Sequence, residues 1–263
     1  MKYEVPETVW DGRKRGINRR LCFAFAEGCG SKIVKCGQSK LNEIATYGII
    51  RGTAEELNTA NHYWYMDNAY FGHQHTGRTV ENTYYRITRD NTLHSGLGDF
   101  DWNRFNSFGF NLKEFRISGD HVVIVPPDKT MANFLGVSDW LDKLILKIKK
   151  YTDREIIISR RPKSLGCPDW LMSENEKGLR VLDLKSALKK AWVLVTDHSN
   201  AMTHSLIEGV PIICTHPNRL IGSVEDIENP ILCRDILKGL AYNQWTVKEI
   251  RSGKAWEELN IWG

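Results

Sequence analysis

From His121 onward, short runs of apolar residues alternate with longer segments whose apolar positions recur every three or four residues. HVVIVPP (121–127) is β-branched and closed by two prolines, the pattern of a buried strand. In SDWLDKLILKIKKY, Leu141, Leu144, Ile145 and Ile148 fall at i, i+3, i+4 and i+7 with lysines opposite, which predicts an amphipathic helix with Ser138 as its N-cap. EIIIS (155–159), WVLVTD (192–197) and PIICT (211–215) predict further strands. LKSALKKA and NAMTHSLIEG predict the helices between them. Strands joined through helices run parallel, and strands apolar on both faces are covered on both, so residues 119–263 read as a Rossmann-like parallel sheet.

The first half is less periodic. RLCFAFAEGCGSK (20–32) alternates large and small apolar residues and reads as a strand followed by a glycine turn. YGII, HYWYMDNAYFG and TYYRITRD read as strands separated by long polar connections. A domain boundary is expected near residue 118, giving 1–118 as a smaller α/β domain. The tail, grouped with 119–263, is expected to be helical. TVKE (246–249) has the capping-box form, Gly253 interrupts the helix, and Trp245, Trp256 and Trp262 dock it on a core.

Composition narrows the function classes little. Of 263 residues, 41% are hydrophobic and 26% charged, ordinary for a globular chain. The net charge of +4 permits an anionic partner without demanding one. No run approaches the roughly 18–20 apolar residues of a membrane span, and MKYEVPETVWDGRKRG lacks a signal-peptide core. The expected location is a cytoplasm, that of the host if the chain is phage-encoded. The six cysteines form no C-x-x-C pair and read as small buried thiols. No metal set is assigned, and His73 and His75 alone do not make one.

Ligands of open α/β sheets bind beyond the carboxyl ends of the strands. There WVLVTD runs into His198, Ser199 and Asn200, with Thr203 one turn on, a helix start suited to phosphate or simply a polar cap. Glu208 closes that helix, as a solvated end or as a carboxylate for ribose hydroxyls. Arg160, Arg161 and Lys163 follow EIIIS and suit a pyrophosphate. Gly28 and Gly30 would let backbone approach a ligand. Asp67, among aromatics, is either a general base or a buried structural carboxylate. Arg13 and Arg15 with Tyr63, Trp64 and Tyr65 would suit a nucleic-acid strand or a sugar.

VLVTDHSNAMTHSLIEGVPIICT resembles the donor-binding half of GT-B glycosyltransferases, in which a serine-rich turn, a helix with a glutamate and a G-V-P-x-I strand hold a nucleotide-sugar. Arg160-Arg161-Pro162-Lys163 resembles the R-P-K turn of capsule-polysaccharide and teichoic-acid-type transferases. YWYMDNAYFG, YYRIT and LAYNQWTVKEIRSGKAW resemble segments of glycosyltransferase-like proteins of phages and bacteria. The resemblance covers most of 120–260 and patches of the first half, which is short for a complete acceptor domain. It implies a GT-B-like α/β fold and sugar transfer from a nucleotide-sugar, with no tightly bound cofactor and no metal. The diphosphate would lie at Ser199 and Arg160–Lys163, and the acceptor hydroxyl would be activated by Asp67. The acceptor would be a hydroxymethylated base in phage DNA, or else a glycan, lipid-linked or small molecule. A same-fold sugar epimerase or polyol-phosphate transferase, and a noncatalytic nucleic-acid-binding protein, stand as alternatives.

Overall fold

The computed structural model describes residues 3–14, 16–72, 79–160 and 175–262. The chain forms two compact units, Met1–Phe108 with Lys238–Gly263, and Gly109–Leu237. The first begins with β1 (Glu7–Trp10), α1 (Ile17–Cys29), β2 (Ile33–Lys35), β3 (Glu43–Tyr47), α2 (Thr53–Thr59), β4 (His62–Asn68), β5 (Tyr84–Arg89) and α3 (Asn103–Asn106). β1 pairs in parallel with β2 and β3, β3 in parallel with β4, and β5 runs antiparallel to β4.

The segment read as a strand in RLCFAFA is instead the middle of α1. Asn18, Leu21, Cys22 and Phe25 are buried at helical spacing and face the sheet. Phe23, which a strand would have turned inward, lies at the rim with the Arg19 guanidinium 4.4 Å from its ring centre. The large–small alternation of Leu-Cys-Phe-Ala-Phe-Ala mimics period two, but its small residues let the helix pack closely on all but its outer face.

The second unit follows as β6 (His121–Val125), α4 (Lys129–Phe134), α5 (Trp140–Ile148), β7 (Glu155–Ser159), β8 (Asn175–Glu176), β9 (Leu179–Leu182), α6 (Leu184–Ala187), β10 (Ala191–Thr196), α7 (Ala201–Ile207) and β11 (Ile212–Cys214). The described strands lie in the order β11-β10-β6-β7-β9-β8. All pair in parallel except the β8–β9 ribbon. β6 is central, and Val122, Val123 and Ile124 are fully buried. Leu141, Leu144, Ile145 and Ile148 of α5 are buried against Ile156, Ile158, Val193 and Val195, as their spacing predicts. The residue at the α5 cap is Asp139 rather than Ser138, whose hydroxyl bonds Asn133.

α8 (Ile236–Tyr242) carries the chain back to the first unit, where β12 (Trp245–Thr246), α9 (Val247–Arg251) and α10 (Lys254–Trp262) complete it. β12 pairs antiparallel with β5, so the first sheet reads β12-β5-β4-β3-β1-β2. Trp245, Val247, Ile250 and Ala255 are buried with Phe25, Trp64 and Met66 of the first unit. The boundary expected at 118 therefore lies ten residues earlier, and the tail assigned to the second domain belongs to the first. Within it the capping box forms: the Thr246 hydroxyl accepts from the Glu249 N–H, and Glu249 accepts from the Thr246 N–H at 2.8 Å. Gly253 separates α9 from α10 with φ 87°.

Candidate functional site

In the second sheet, the chain passes from β6 outward through β7 to β9, then crosses to the other side of β6 as β10. The point where strand order reverses, between β6 and β10, is where open α/β sheets leave a crevice at their carboxyl edge. The residues after those strands, Pro126–Asp128 and Asp197–Asn200, flank it. Thr196 ties the two together, its hydroxyl donating to the Val125 carbonyl at 2.7 Å.

The turn after β10 is built largely from its own polar atoms. The Ser199 N–H donates to Thr196 Oγ1 at 3.2 Å, and Ser199 Oγ accepts from the Ala201 N–H at 3.1 Å. The N-cap position of α7 is Asn200 and carries no side-chain cap bond, so Ser199 serves the turn before it, and its hydroxyl keeps a proton to donate. Thr203 is buried and its hydroxyl donates to the Asn200 carbonyl at 2.8 Å, so it serves the turn. Arg160 stands at the end of β7, and its Nη1 donates to the Pro127 carbonyl at 3.3 Å, which brings the guanidinium to the end of β6. Arg161 and Lys163 lie outside the described residues.

Two further residues join Asp197 and His198 at this edge and went unread in the sequence, His216 and Arg219. Asp197, His198, His216 and Arg219 are all buried. The His198 and His216 ring centres are 6.0 Å apart. The Thr215 hydroxyl donates to Asp197 Oδ1 at 3.2 Å and accepts from the Trp140 indole N–H at 2.9 Å. Burial pushes the Asp197 carboxyl up, against the pull of His216 and Thr215. Burial pushes His216 down, with Asp197 opposing and the Arg219 charge assisting. A neutral His216 whose Nδ1 accepts from the Asn218 N–H, at 3.2 Å, carries its proton on Nε2. The signal that could have found it is His-Pro directly after the PIICT strand, at the same edge as Ser199.

Other expected residues are placed elsewhere. Glu208 is at the far end of α7, roughly 13 Å from Ser199 at the helical rise, and ion-paired with exposed Lys113 at 2.5 Å. Gly28 is inside α1, where a Cβ would land on the Ile250 carbonyl and lie 3.1 Å from the Gly253 nitrogen. It permits close approach of α1 and α9 rather than of a ligand. Gly30 is the left-handed C-cap of α1, φ 76°, its N–H bonded to the Ala26 carbonyl.

In the first unit, Asp67 Oδ2 pairs with Arg86 Nη2 at 2.7 Å and accepts the Tyr65 hydroxyl at 3.0 Å, while Oδ1 accepts the Asn68 N–H at 2.7 Å. The Arg86 side chain is only 3% exposed, so Asp67 is the counter-charge of a buried guanidinium. A base that took up a proton there would strand that charge, which argues for the structural reading of Asp67. Trp64 and Tyr65 are buried, Trp64 against Tyr3 and Trp256, and cannot stack on a nucleic acid. Tyr63 is half-buried, and Arg13 is held to Asp11 at 2.6 Å. Arg15, His73 and His75 lie outside the described residues.

No protein-family model matches the chain, and no curated protein matches it. Among solved structures it is similar to the β-Kdo 2,4 transferase of KpsC from Thermosulfurimonas dismutans, with a TM-score of 0.51 and 12% identity over 92% of this chain and 90% of that one. The β-Kdo 2,7 transferase of the same KpsC matches 99% of this chain and 100% of that one, at 11% identity and a TM-score of 0.47. No described helix is long and apolar enough to cross a membrane. With two α/β units, each organised around parallel strands, and a glycosyltransferase as its structural counterpart along most of its length, the chain has a GT-B-like glycosyltransferase fold.

Proposed function

We propose that the chain is a glycosyltransferase that takes a sugar from a nucleotide-sugar, with the donor phosphates bound at the carboxyl edge of the second sheet. The observation that carries this is the grouping at the carboxyl edge of the second sheet of Arg160, bonded to the Pro127 carbonyl after β6, with Ser199 after β10 and His216 after the neighbouring β11. A guanidinium and fixed neutral donors stabilise the charge that develops on a departing nucleotide, the task that preorganised donors perform in group transfer. Arg161 and Lys163 would add to that charge. Glu208 and Thr203 are not part of the seat. The acceptor is a glycan, lipid-linked or small hydroxylated molecule: of the residues behind the DNA reading, Arg13, Arg15, Tyr63, Trp64 and Tyr65, the two aromatics Trp64 and Tyr65 are core residues.

A thermal-shift screen of nucleoside diphosphates and nucleotide-sugars tests the reading, with a nucleotide-activated Kdo among them because the similar KpsC unit is a Kdo transferase. A ligand at a hundred times its Kd stabilises the native state by about 2.7 kcal/mol, a readily measured rise in Tm. Arg160→Ala should reduce the rise while leaving the ligand-free Tm within a few degrees. Absence of any shift across the panel would sink the proposal.

A further inference from the structure

The amino edge of the second sheet, at the opposite end of the strands from the crevice, carries exposed apolar side chains set among lysines. Three segments meet there because the strands they precede are neighbours in parallel register: residues 116–120 before β6, 149–154 before β7 and 188–190 before β10. Hydrogen bonds stitch them together. The Asp120 N–H donates to the Lys190 carbonyl at 2.8 Å, Arg116 donates to the Leu188 carbonyl, and Arg154 donates to the Gly119 carbonyl. A fourth segment is pinned beside them at both ends. Glu228 pairs with Arg154 at 2.9 Å, and the Arg234 guanidinium lies 4.0 Å from the Phe115 ring centre. Between those anchors Ile231 and Leu232 are more than half exposed. Tyr151 is also exposed, and Ile117 is 93% exposed.

The charges around these side chains do not cancel. Asp120, Glu155, Glu208 and Glu228 are matched by Lys190, Arg180, Lys113 and Arg154. That leaves Glu114 and Asp153 against Arg116, Lys149, Lys150 and Lys189, and the three lysines are exposed. We propose that this face rests on an anionic lipid bilayer. The inference is independent of the donor reading. An isoleucine or leucine gains by leaving water for the acyl boundary, and a tyrosine suits the headgroup level. Lysine stems cover apolar surface while their ammonium groups reach lipid phosphates. Neither arm suffices alone: an apolar contact this small gives marginal attachment, and the lysines supply the second signal. A nucleic acid would pair with the lysines but leave Ile117, Ile231 and Leu232 in water, whereas a bilayer takes both.

The test is co-sedimentation of the full chain with vesicles of phosphatidylcholine alone and of equal parts phosphatidylcholine and phosphatidylserine. Wild type should bind the mixed vesicles about tenfold or more tightly. A lysine near an anionic leaflet is worth about fivefold in affinity, so Lys149→Gln, Lys150→Gln, Lys189→Gln together should remove that preference. Ile117→Ser, Ile231→Ser, Leu232→Ser together should also weaken binding to the mixed vesicles about tenfold or more. Lys35→Gln, Lys40→Gln, Lys248→Gln, an equal loss of exposed charge on the first unit, should leave binding near wild type. All nine positions are exposed, so the variants are expected to fold. A wild type without preference for the mixed vesicles overturns the proposal. So does a first-unit variant that loses as much as the second-unit lysine variant, which would make the attraction one of net charge. A serine variant that binds as wild type does, or a wild type that binds a DNA duplex through these lysines and no vesicle, overturns the bilayer as the partner.

Discussion

Asp67→Asn separates a structural carboxylate from a catalytic one. The substitution keeps the side chain's size and one acceptor oxygen, and removes the charge facing Arg86. That guanidinium is 3% exposed and Asp67 is 24% exposed, so little water can replace the lost partner. Breaking a buried pair by removing one member costs about 3–5 kcal/mol, and partial exposure of Asp67 favours the lower end, about 3 kcal/mol. For a unit of this size the loss corresponds to a fall in Tm on the order of 10 °C. Differential scanning calorimetry should show it in the transition of the first unit. The double variant Asp67→Asn, Arg86→Met should recover much of the loss, because a buried pair replaced on both sides is often nearly neutral. A single variant that melts with wild type, or a double variant no better than the single, refutes the reasoning. Loss of sugar transfer at an unchanged Tm would restore Asp67 as the base.

Three further substitutions probe other links. Gly28→Ala drives a methyl into the Ile250 carbonyl and should lower stability by about 1–3 kcal/mol through forced separation of α1 and α9, with nucleotide affinity unchanged by titration. Ser199→Ala loses the hydrogen bond from the Ala201 N–H, costing about 1 kcal/mol in denaturant unfolding, and should weaken nucleoside diphosphate binding by about tenfold. Burial works against the charge on Glu249, but Lys254, the Thr246 N–H and Arg104 outweigh it and hold its pKa below the ordinary 4.5. A depressed folded pKa contributes stability that is present above about 4.5 and lost as pH falls through the folded value. Thermal melts across that acid range should show a shallower decline in Glu249→Gln than in wild type.

The second unit was legible because each of its parallel strands is a continuous apolar run flanked by helix-period segments. Burial on both faces leaves few other ways to arrange β6, β7, β10 and β11. Arg160 and Ser199 could be placed at one edge because alternation of strand and helix fixes which end each loop occupies. What escaped depends on contacts between distant residues. β12 is two residues long, and only its pairing with Tyr84 and Tyr85 makes it a strand. Asp67 became a structural residue only when Arg86, nineteen positions later, was brought opposite it across an antiparallel pair. The GxG of Gly28 and Gly30 was misread for a simpler reason. Gly28 is needed by a neighbouring helix more than two hundred residues away, which no local pattern encodes.

The return of the chain through α8 gives biosynthesis a direction. Residues 109–237 are contiguous, and every described strand of their sheet has emerged before the tail does. The first unit, although it leaves the ribosome first, must wait with β5 lacking its β12 neighbour and α1 lacking α9. Vectorial synthesis usually finishes domains from the N-terminus onward. Here the later unit can close first, and the earlier one stays incomplete until residues 238–263 arrive. Lesions in residues 238–263 would therefore be felt in a unit whose other part is more than a hundred residues earlier in the chain.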